Sequence, residues 1–255
     1  MRHCYVLRVF TRGTTGGNNL GVVTDVSGLS DRVMAGVAAD LGFSETVFVD
    51  WRDGGVPRTR IFTPAAELPF AGHPLVGAAW VLNMLGPGGV DAIDCTVGRC
   101  AITITGDRVA ITAPRAERPV RACTIELTEW VNPTDAVTVS MPIDYHVIEA
   151  PSPDVVAAVQ PPQLPGDVYL WARHGDVVKA RFFAPGMGIV EDPATGSAAV
   201  ALATVLAARG ESHGSLRIHQ GDEIGAPSTI HLDWTPAAIT IGGTVARDET
   251  RELDV

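Results

Sequence analysis

The sequence predicts an α+β fold made of two similar halves. Two segments that combine a strand pattern, a Phe-x-Pro motif and an alanine-rich helix pattern recur about half a chain apart, at 60–79 and 181–199. The 255 residues are 46% hydrophobic, enough to fill one large core or two smaller ones. Short strand patterns outnumber helix patterns along the chain. Because the repeated segments lie on either side of the middle of the chain, we expect one half at residues 1–115 and the other at 116–255.

Strand patterns run through the first half and are separated by turn residues. The strands predicted there lie, in chain order, at 5–10, 20–23, 46–49, 58–62, 93–97, 101–105 and 109–112. A loop over residues 13–19, rich in Gly, Thr and Asn, precedes the second strand. A turn at Asp53, Gly54 and Gly55 is expected to join the third strand to the fourth.

Two helices are predicted among these strands. The first has an apolar residue at every fourth position: Leu29, Val33, Val37 and Leu41. This spacing gives one apolar helix face, and Ser30 is suited to cap its start. The second helix is expected to begin near Pro74, because a first turn does not use the N–H that proline lacks. The Gly-Pro-Gly-Gly run at residues 86–89 ends it.

The second half repeats this order. Strands at 168–171 and 177–183 match the earlier pair, and a helix that begins at Pro193 and Thr195 ends near residues 209–210. Residues 114–119 are expected to connect the halves, and 216–245 to form short strands and turns. Pro74 and Pro193 lie 119 residues apart, an offset that aligns His73 with Asp192. The shared order favours an internal duplication.

Composition narrows the class of partner. The net charge is −10, and the 19 Lys and Arg residues form no runs, so we expect no nucleic-acid partner. The longest apolar stretch, at 198–208, is too short to cross a bilayer, so we expect no membrane partner. The four cysteines form no zinc pattern and are typical of a reduced cytoplasmic protein: Cys4, Cys95, Cys100 and Cys123.

Four segments carry a resemblance to a known family: Ser44-Glu45-Thr46, Ile61-Phe62-Thr63-Pro64, Gly72-His73-Pro74 and Glu191-Asp192-Pro193-Ala194-Thr195-Gly196-Ser197-Ala198. They resemble the PhzF-like phenazine biosynthesis isomerases, and Gln220-Gly221 and Gly242-Gly243 fit the same pattern. The resemblance implies the pseudo-symmetric diaminopimelate-epimerase fold, in which each half is a curled, mostly antiparallel sheet around a central helix. It also implies a cofactor-independent isomerase that forms a homodimer. Ala226 departs from the family, whose members often carry Arg there.

The resemblance implies that Glu45 is the acid and base, and burial would raise its pKa and suit it to carry a proton. His73 and Asp192 are expected to precede the two central helices, whose first-turn N–H groups could hold a substrate carboxylate. The expected site comprises catalytic Glu45, His73 and Asp192 and substrate-binding Asn18, Gly72, Thr195, Gly196 and Ser197, with no metal and no cofactor. From the residues alone, a solvated glutamate, a turn histidine and a helix-capping aspartate are the favoured interpretations, and the resemblance shifts the balance to function.

Two other functions stay open. An epimerase or racemase acting on an amino-acid-like substrate could use the same site, although a two-thiol version is disfavoured because no cysteine lies in segments 71–73 or 194–196. A binding protein that kept the fold and lost catalysis is the third possibility. His213 and His219 lie six residues apart and have no carboxylate residue at a suitable spacing, so they do not predict a metal site. The sequence does not name the substrate beyond a small carboxylate.

Overall fold

The computed structural model describes residues 2–51, 55–86, 89–115, 118–125, 132–141, 143–161 and 166–254. Its strands are β1 (Arg2–Thr11), β2 (Asn18–Thr24), β3 (Glu45–Asp50), β4 (Arg58–Phe62), β5 (Glu67–Leu68), β6 (Ala92–Cys95), β7 (Gly98–Thr105), β8 (Arg108–Pro114), β9 (Val120–Ala122), β10 (Asp135–Ser140), β11 (Asp144–Glu149), β12 (Val168–His174), β13 (Val177–Ala184), β14 (Ile189–Asp192), β15 (Gly214–Gln220), β16 (Ser228–Trp234) and β17 (Ala238–Leu253). Its α-helices are α1 (Asp31–Leu41), α2 (Gly72–Leu85), α3 (Pro153–Ala158) and α4 (Gly196–Ala208). The α+β class is confirmed.

The chain divides into two compact units. The first contains the residues up to Thr14, Asn18–Ala113 and the residues from Gly242 on, and the second contains Thr15–Gly17 and Pro114–Ile241. The predicted halves at 1–115 and 116–255 need correction, because the end of the chain belongs to the first unit. The cause is β17, which pairs antiparallel with β1 and joins the same unit.

The first unit is a mixed sheet around α2. Strand β1 pairs antiparallel with β2, β2 parallel with β3, and β3 antiparallel with β4. Strand β4 pairs antiparallel with β5 and parallel with β6, and β6, β7 and β8 continue antiparallel. Helix α2 packs on β1, β2 and β3. Gly77 permits the close approach, since a Cβ there would lie 2.3 Å from Leu20 Cδ2.

The second unit has the same order of pairings. Strand β10 pairs antiparallel with β11, β11 parallel with β12, and β12 antiparallel with β13. Strand β13 then pairs antiparallel with β14 and parallel with β15, which pairs antiparallel with β16. Helix α4 packs on β9, β10, β11 and β16. Each unit therefore has an α-helix of 13 or 14 residues as its centre.

Several predicted elements are confirmed, and others need correction. Helix α1 begins after Ser30, whose side chain accepts a hydrogen bond from the Val33 N–H, as predicted. The loop expected at 13–19 ends earlier, because Asn18 already belongs to β2. Residues 216–245 hold longer strands than expected, since β17 alone has 16 residues. The predicted turns include Asp53, Gly54, Pro87 and Gly88, which lie outside the described residues.

A buried ion pair links β13 to β14 in the second unit. The Arg181 guanidinium donates to both carboxylate oxygens of Glu191, at 2.9 and 2.7 Å, and the two side chains are 3% and 2% exposed. The same guanidinium donates to the Val159 carbonyl and lies 4.9 Å from the ring centroid of Phe183. Arg181 thus ties the end of α3 to the sheet.

The first unit holds a more exposed version of this ion pair. Arg60 on β4 donates to Glu67 on β5, at 2.8 and 2.6 Å, but its side chain is 36% exposed and that of Glu67 is 34% exposed. Arg60 also lies 5.1 Å from the ring centroid of Phe62. The two arginines therefore occupy matching positions, but Arg60 is more exposed and also pairs with Asp31 at 2.6 Å.

This difference predicts unequal costs for the same substitution. Arg181→Gln leaves the Glu191 carboxylate buried without its cation, and we expect it to lower the free energy of unfolding by about 3–5 kcal/mol. Arg60→Gln removes two solvent-screened pairs, with Glu67 and with Asp31, and should cost about 2 kcal/mol or less. Urea denaturation of both variants measures the two values. Equal losses of unfolding free energy in the two variants would contradict the conclusion that the buried Arg181–Glu191 pair is the more stabilising one.

Candidate active site

Glu45 is the first residue of β3, directly after the turn that ends α1. Gly42 closes that helix in the left-handed region, at φ 66°, and its N–H donates to the Ala38 carbonyl. The parallel pairing of β3 with β2 sets Glu45 beside Leu20. The Glu45 side chain is 17% exposed. Its Oε2 atom is buried and has no hydrogen-bond partner among the described residues.

This burial changes the acidity of Glu45. Removal from water disfavours the carboxylate and raises the pKa of Glu45 to about 7, although a hydrogen bond with Ser44 acts in the opposite direction. A carboxyl group with a pKa near neutrality can both accept and return a proton at physiological pH. Glu45 is therefore not the solvated glutamate that the sequence left open.

His73 lies beside Glu45. Its Nε2 atom is 3.6 Å from Glu45 Oε2, and its side chain is 4% exposed. This separation exceeds a hydrogen-bond length. His73 was expected to precede the central helix, but it is the second residue of α2. Both its ring and its backbone N–H therefore lie in the first turn of that helix.

Asn18 and Gly72 complete the polar group of the first unit. The Ser44 hydroxyl donates to Asn18 Oδ1 at 3.2 Å, which places Asn18 next to the residue before Glu45. Gly72 begins α2, and the N-cap residue Ala71 offers no side-chain hydrogen bond. The first N–H groups of a helix have no acceptor within the helix. Here the side chain of the N-cap residue does not accept from them either.

Asp192 and Thr195 form a buried network before α4. The Thr195 hydroxyl donates to Asp192 Oδ2 at 2.5 Å and accepts from Gln220 Nε2 at 3.0 Å. Gln220 Nε2 also donates to the Asp192 carbonyl at 2.7 Å. Thr195, not Asp192, is the N-cap residue of α4, so the helix-capping interpretation of Asp192 is wrong. Pro193 likewise lies before the helix, which begins at Gly196.

The residue after Gln220, Gly221, lies where the backbone leaves no room for a side chain. It adopts φ 82°, and a Cβ there would lie 2.4 Å from the Ala226 carbonyl oxygen and 2.7 Å from that of Pro193. A side chain at position 221 would push the backbone of Gly221 away from the segment that carries Asp192. The sequence indicates this Gln-Gly pair only through the family resemblance. Its structural role is to hold the Asp192 and Thr195 network in place.

Ser197 is the second residue of α4, in the first turn. The Tyr145 hydroxyl donates to Ser197 Oγ at 2.7 Å, and Tyr145 is 5% exposed. With its oxygen accepting from Tyr145, Ser197 keeps its own proton for another acceptor. Gly196 precedes it as the first helical residue, and the N-cap Thr195 provides no side-chain cap. Tyr145 was missed because β11 was not predicted.

The predicted site residues thus fall into two polar groups. Asn18, Glu45, Gly72 and His73 lie in the first unit, and Asp192, Thr195, Gly196 and Ser197 lie in the second. In the described part of the chain, no three or more His, Cys, Asp or Glu side chains form a group that could hold a metal ion. No described helix is long and apolar enough to span a membrane.

Known proteins resemble this chain over most of its length. The family profile PhzC-PhzF, phenazine biosynthesis-like protein, matches residues 7–127 and 136–248. The trans-2,3-dihydro-3-hydroxyanthranilate isomerase of Pseudomonas chlororaphis is 32% identical over 251 residues, which cover 90% of this chain and 89% of that protein. Another such isomerase, from Pseudomonas aeruginosa, is 31% identical over 261 residues, which cover 91% of this chain and 90% of that protein.

The crystal structure of the Bacillus anthracis phenazine biosynthesis protein of the PhzF family matches with a TM-score of 0.83 at 20% identity, covering 100% of both chains. A hydroxyproline epimerase from Agrobacterium vitis matches with a TM-score of 0.63 at 11% identity, covering 98% of this chain and 91% of that one. At these identities the structures show a shared fold. The fold is thus common to PhzF proteins and an epimerase.

The raised pKa of Glu45 predicts a pH-dependent stability. Between about 4.5 and about 7 the unfolded chain loses this proton while the folded protein keeps it, so folding stability falls as the pH rises. Glu45→Gln removes the titration. We expect this variant to be more stable than the original protein by about 2–4 kcal/mol at pH 8 and by less than about 1 kcal/mol at pH 5.

Urea denaturation at the two pH values measures this difference. Glu252→Gln is the matched control, because it makes the same substitution at an exposed position at the end of β17. A gain for Glu45→Gln that is the same at pH 5 and pH 8 would contradict a raised pKa.

Proposed function

Because the chain belongs to the PhzC-PhzF family of phenazine biosynthesis-like proteins and is an isomerase, we propose that Glu45 is its acid and base. In this proposal the enzyme moves a proton and a double bond within a small carboxylated substrate and needs no cofactor. The observation that carries it is the Glu45 carboxyl, whose Oε2 atom is buried and whose pKa is raised to about 7.

The reaction balances without an added reactant. The Glu45 carboxylate takes a proton from a substrate carbon, and the electron pair of that C–H bond spreads into the adjoining double bond. The protonated Glu45 then returns the proton to another carbon, so the substrate keeps its formula and its double bond has moved. His73, whose Nε2 lies 3.6 Å from Glu45 Oε2, can hydrogen-bond to the substrate atom that gains electron density.

Binding of the substrate carboxylate is proposed for the first turn of α4. The side chain of the N-cap residue Thr195 does not cap its N–H groups, and the Ser197 hydroxyl, held by Tyr145, has a proton to donate. Such donors favour an anion at a helix start. Asp192 holds Thr195 beside this turn and can orient a substrate amine or hydroxyl. Gly72 and Asn18 are proposed as further substrate contacts.

Trans-2,3-dihydro-3-hydroxyanthranilate is the first substrate to test, because relatives that are 31–32% identical to this chain are named as isomerases of this compound. It has the carboxylate and the ring double bonds that the proposed chemistry requires. The repeated order of strand pairings supports an internal duplication and a pseudo-symmetric fold. The homodimer and the cytoplasmic location stay predictions.

Glu45→Gln tests the catalytic assignment directly. Glutamine keeps the shape of the side chain but cannot accept a proton, so we expect kcat to fall at least about 100-fold to 10,000-fold. In the original enzyme, kcat/KM should rise with pH to a plateau above about 7, because only the ionised carboxyl accepts a proton. Product formation followed by chromatography measures both quantities.

Glu252→Gln serves as the control for an ordinary loss of one carboxyl group and should retain full activity. Substantial turnover by Glu45→Gln, with its fold shown intact by circular dichroism, would contradict the proposal. A rate that rises with pH only near 4.5 would show that Glu45 titrates as an exposed carboxyl does.

A further inference from the structure

The second unit has a carboxyl group at the position that Glu45 occupies in the first unit. The residue after Glu45 pairs with Phe62 of the first Phe-x-Pro motif, and the residue after Asp167 pairs with Phe183 of the second. Both carboxyl residues therefore lie at the start of the strand that runs antiparallel to the strand with the motif. Strand pairing makes Asp167 the counterpart of Glu45 within the repeated order.

Asp167 lies on the face of its sheet that packs on α4. Its backbone carbonyl accepts from the His146 N–H at 3.1 Å, which extends the parallel pairing of β11 with β12 by one residue and sets Asp167 beside Tyr145. Side chains of paired residues point to the same face of a sheet. The Tyr145 hydroxyl donates to Ser197 Oγ in the first turn of α4 at 2.7 Å.

The strand on the other side leads to the same helix start. Tyr169, two residues after Asp167, pairs with Phe182, and Phe182 pairs with Asp192. Residues two apart on a strand share a face, so Asp167 and Asp192 lie on one face of the sheet. The Thr195 hydroxyl, at the N-cap of α4, donates to Asp192 Oδ2 at 2.5 Å. Asp167 thus lies between two side chains that contact the start of α4.

The Asp167 carboxyl has an unused acceptor. Its Oδ1 atom is buried and has no hydrogen-bond partner among the described residues, a condition that it shares with Oε2 of Glu45 but not with Oδ2 of Asp192. Burial raises the pKa of Asp167, and the Gly186 backbone beside it offsets this only in part. A Cβ at Gly186 would lie 3.3 Å from Oδ1, so glycine there spares this oxygen a close contact. A buried acceptor without a donor costs free energy, which a bound donor would recover.

We propose that Asp167 is a further substrate-binding residue, which accepts a hydrogen bond from an amino group of the substrate while the substrate carboxylate binds at the start of α4. This inference rests on the proposed function and adds a residue to its site. A protonated amine suits the Asp167 carboxylate best, because it supplies both a hydrogen bond and a positive charge. The second unit would then recognise both charged groups of an amino carboxylate.

Isothermal titration calorimetry tests this with ring carboxylates that have or lack an amino group. Pipecolate and trans-2-aminocyclohexanecarboxylate have one, and cyclohexanecarboxylate does not. We expect at least one of the two amino carboxylates to bind at least about tenfold more tightly than cyclohexanecarboxylate. Asp167→Asn keeps the size of the side chain but not its charge, so it should abolish this preference and leave cyclohexanecarboxylate binding unchanged. A purely structural role of Asp167 would instead weaken the binding of all three compounds alike.

Two further variants separate this inference from the proposed function. Asp233→Asn makes the same substitution at an exposed position of β16 in the same unit and should leave the preference unchanged. Ser197→Ala should weaken the binding of all three compounds alike, because it removes a donor to their carboxylate. If it does not, the proposed carboxylate site at α4 fails, whereas the amino preference still reports on Asp167.

Three results would overturn the role of Asp167. They are equal binding of the three ring carboxylates by the original protein, no binding of any of them, and a preference for the amino carboxylate that Asp167→Asn retains with its fold shown intact by circular dichroism. Because the readout is binding, an absence of turnover would count against the proposed isomerase reaction and not against this preference.

Discussion

Each unit depends on a helix that is buried along most of its length and begins without a side-chain cap. Helices α2 and α4 are apolar on nearly every side, so strands cover them rather than water. A buried helix start leaves N–H groups that need acceptors from elsewhere. Three of the polar residues proposed for function lie at these two starts: His73 in α2, and Thr195 and Ser197 at α4. This constraint is the basis for proposing that the start of α4 binds a substrate carboxylate.

Glu45 illustrates how such a site trades stability for reactivity. A carboxyl whose Oε2 atom is buried without a hydrogen-bond partner disfavours its ionised form, and this raises the pKa of Glu45 to about 7. The same burial that reduces folding stability at neutral pH produces a group able to accept and release a proton. The buried Arg181–Glu191 pair differs, because each charge there meets its counter-ion and serves to join strands.

Local patterns of the sequence predicted the elements whose signals are local. The apolar spacing from Leu29 to Leu41 predicted α1, and Pro74 correctly indicated the start of α2. Elements that depend on distant pairing were missed: the charged end of β17 forms a strand because β1 lies beside it. Tyr145 could not be linked to Ser197, 52 residues later, without the fold. Burial of Glu45 and its raised pKa likewise arise from packing, although the family motif identified the residue.

Proton NMR in D2O tests the central claim most directly. Purified protein and its Glu45→Gln variant would be incubated with trans-2,3-dihydro-3-hydroxyanthranilate and with a panel of cyclic dienyl carboxylates. The account predicts a moved double bond, with deuterium at the reprotonated carbon to the extent that the Glu45 carboxyl exchanges its proton with D2O before returning it, and neither change with the variant. Uptake retained by the variant would contradict the role of Glu45. Uptake at a stereocentre with no moved double bond would identify an epimerase instead.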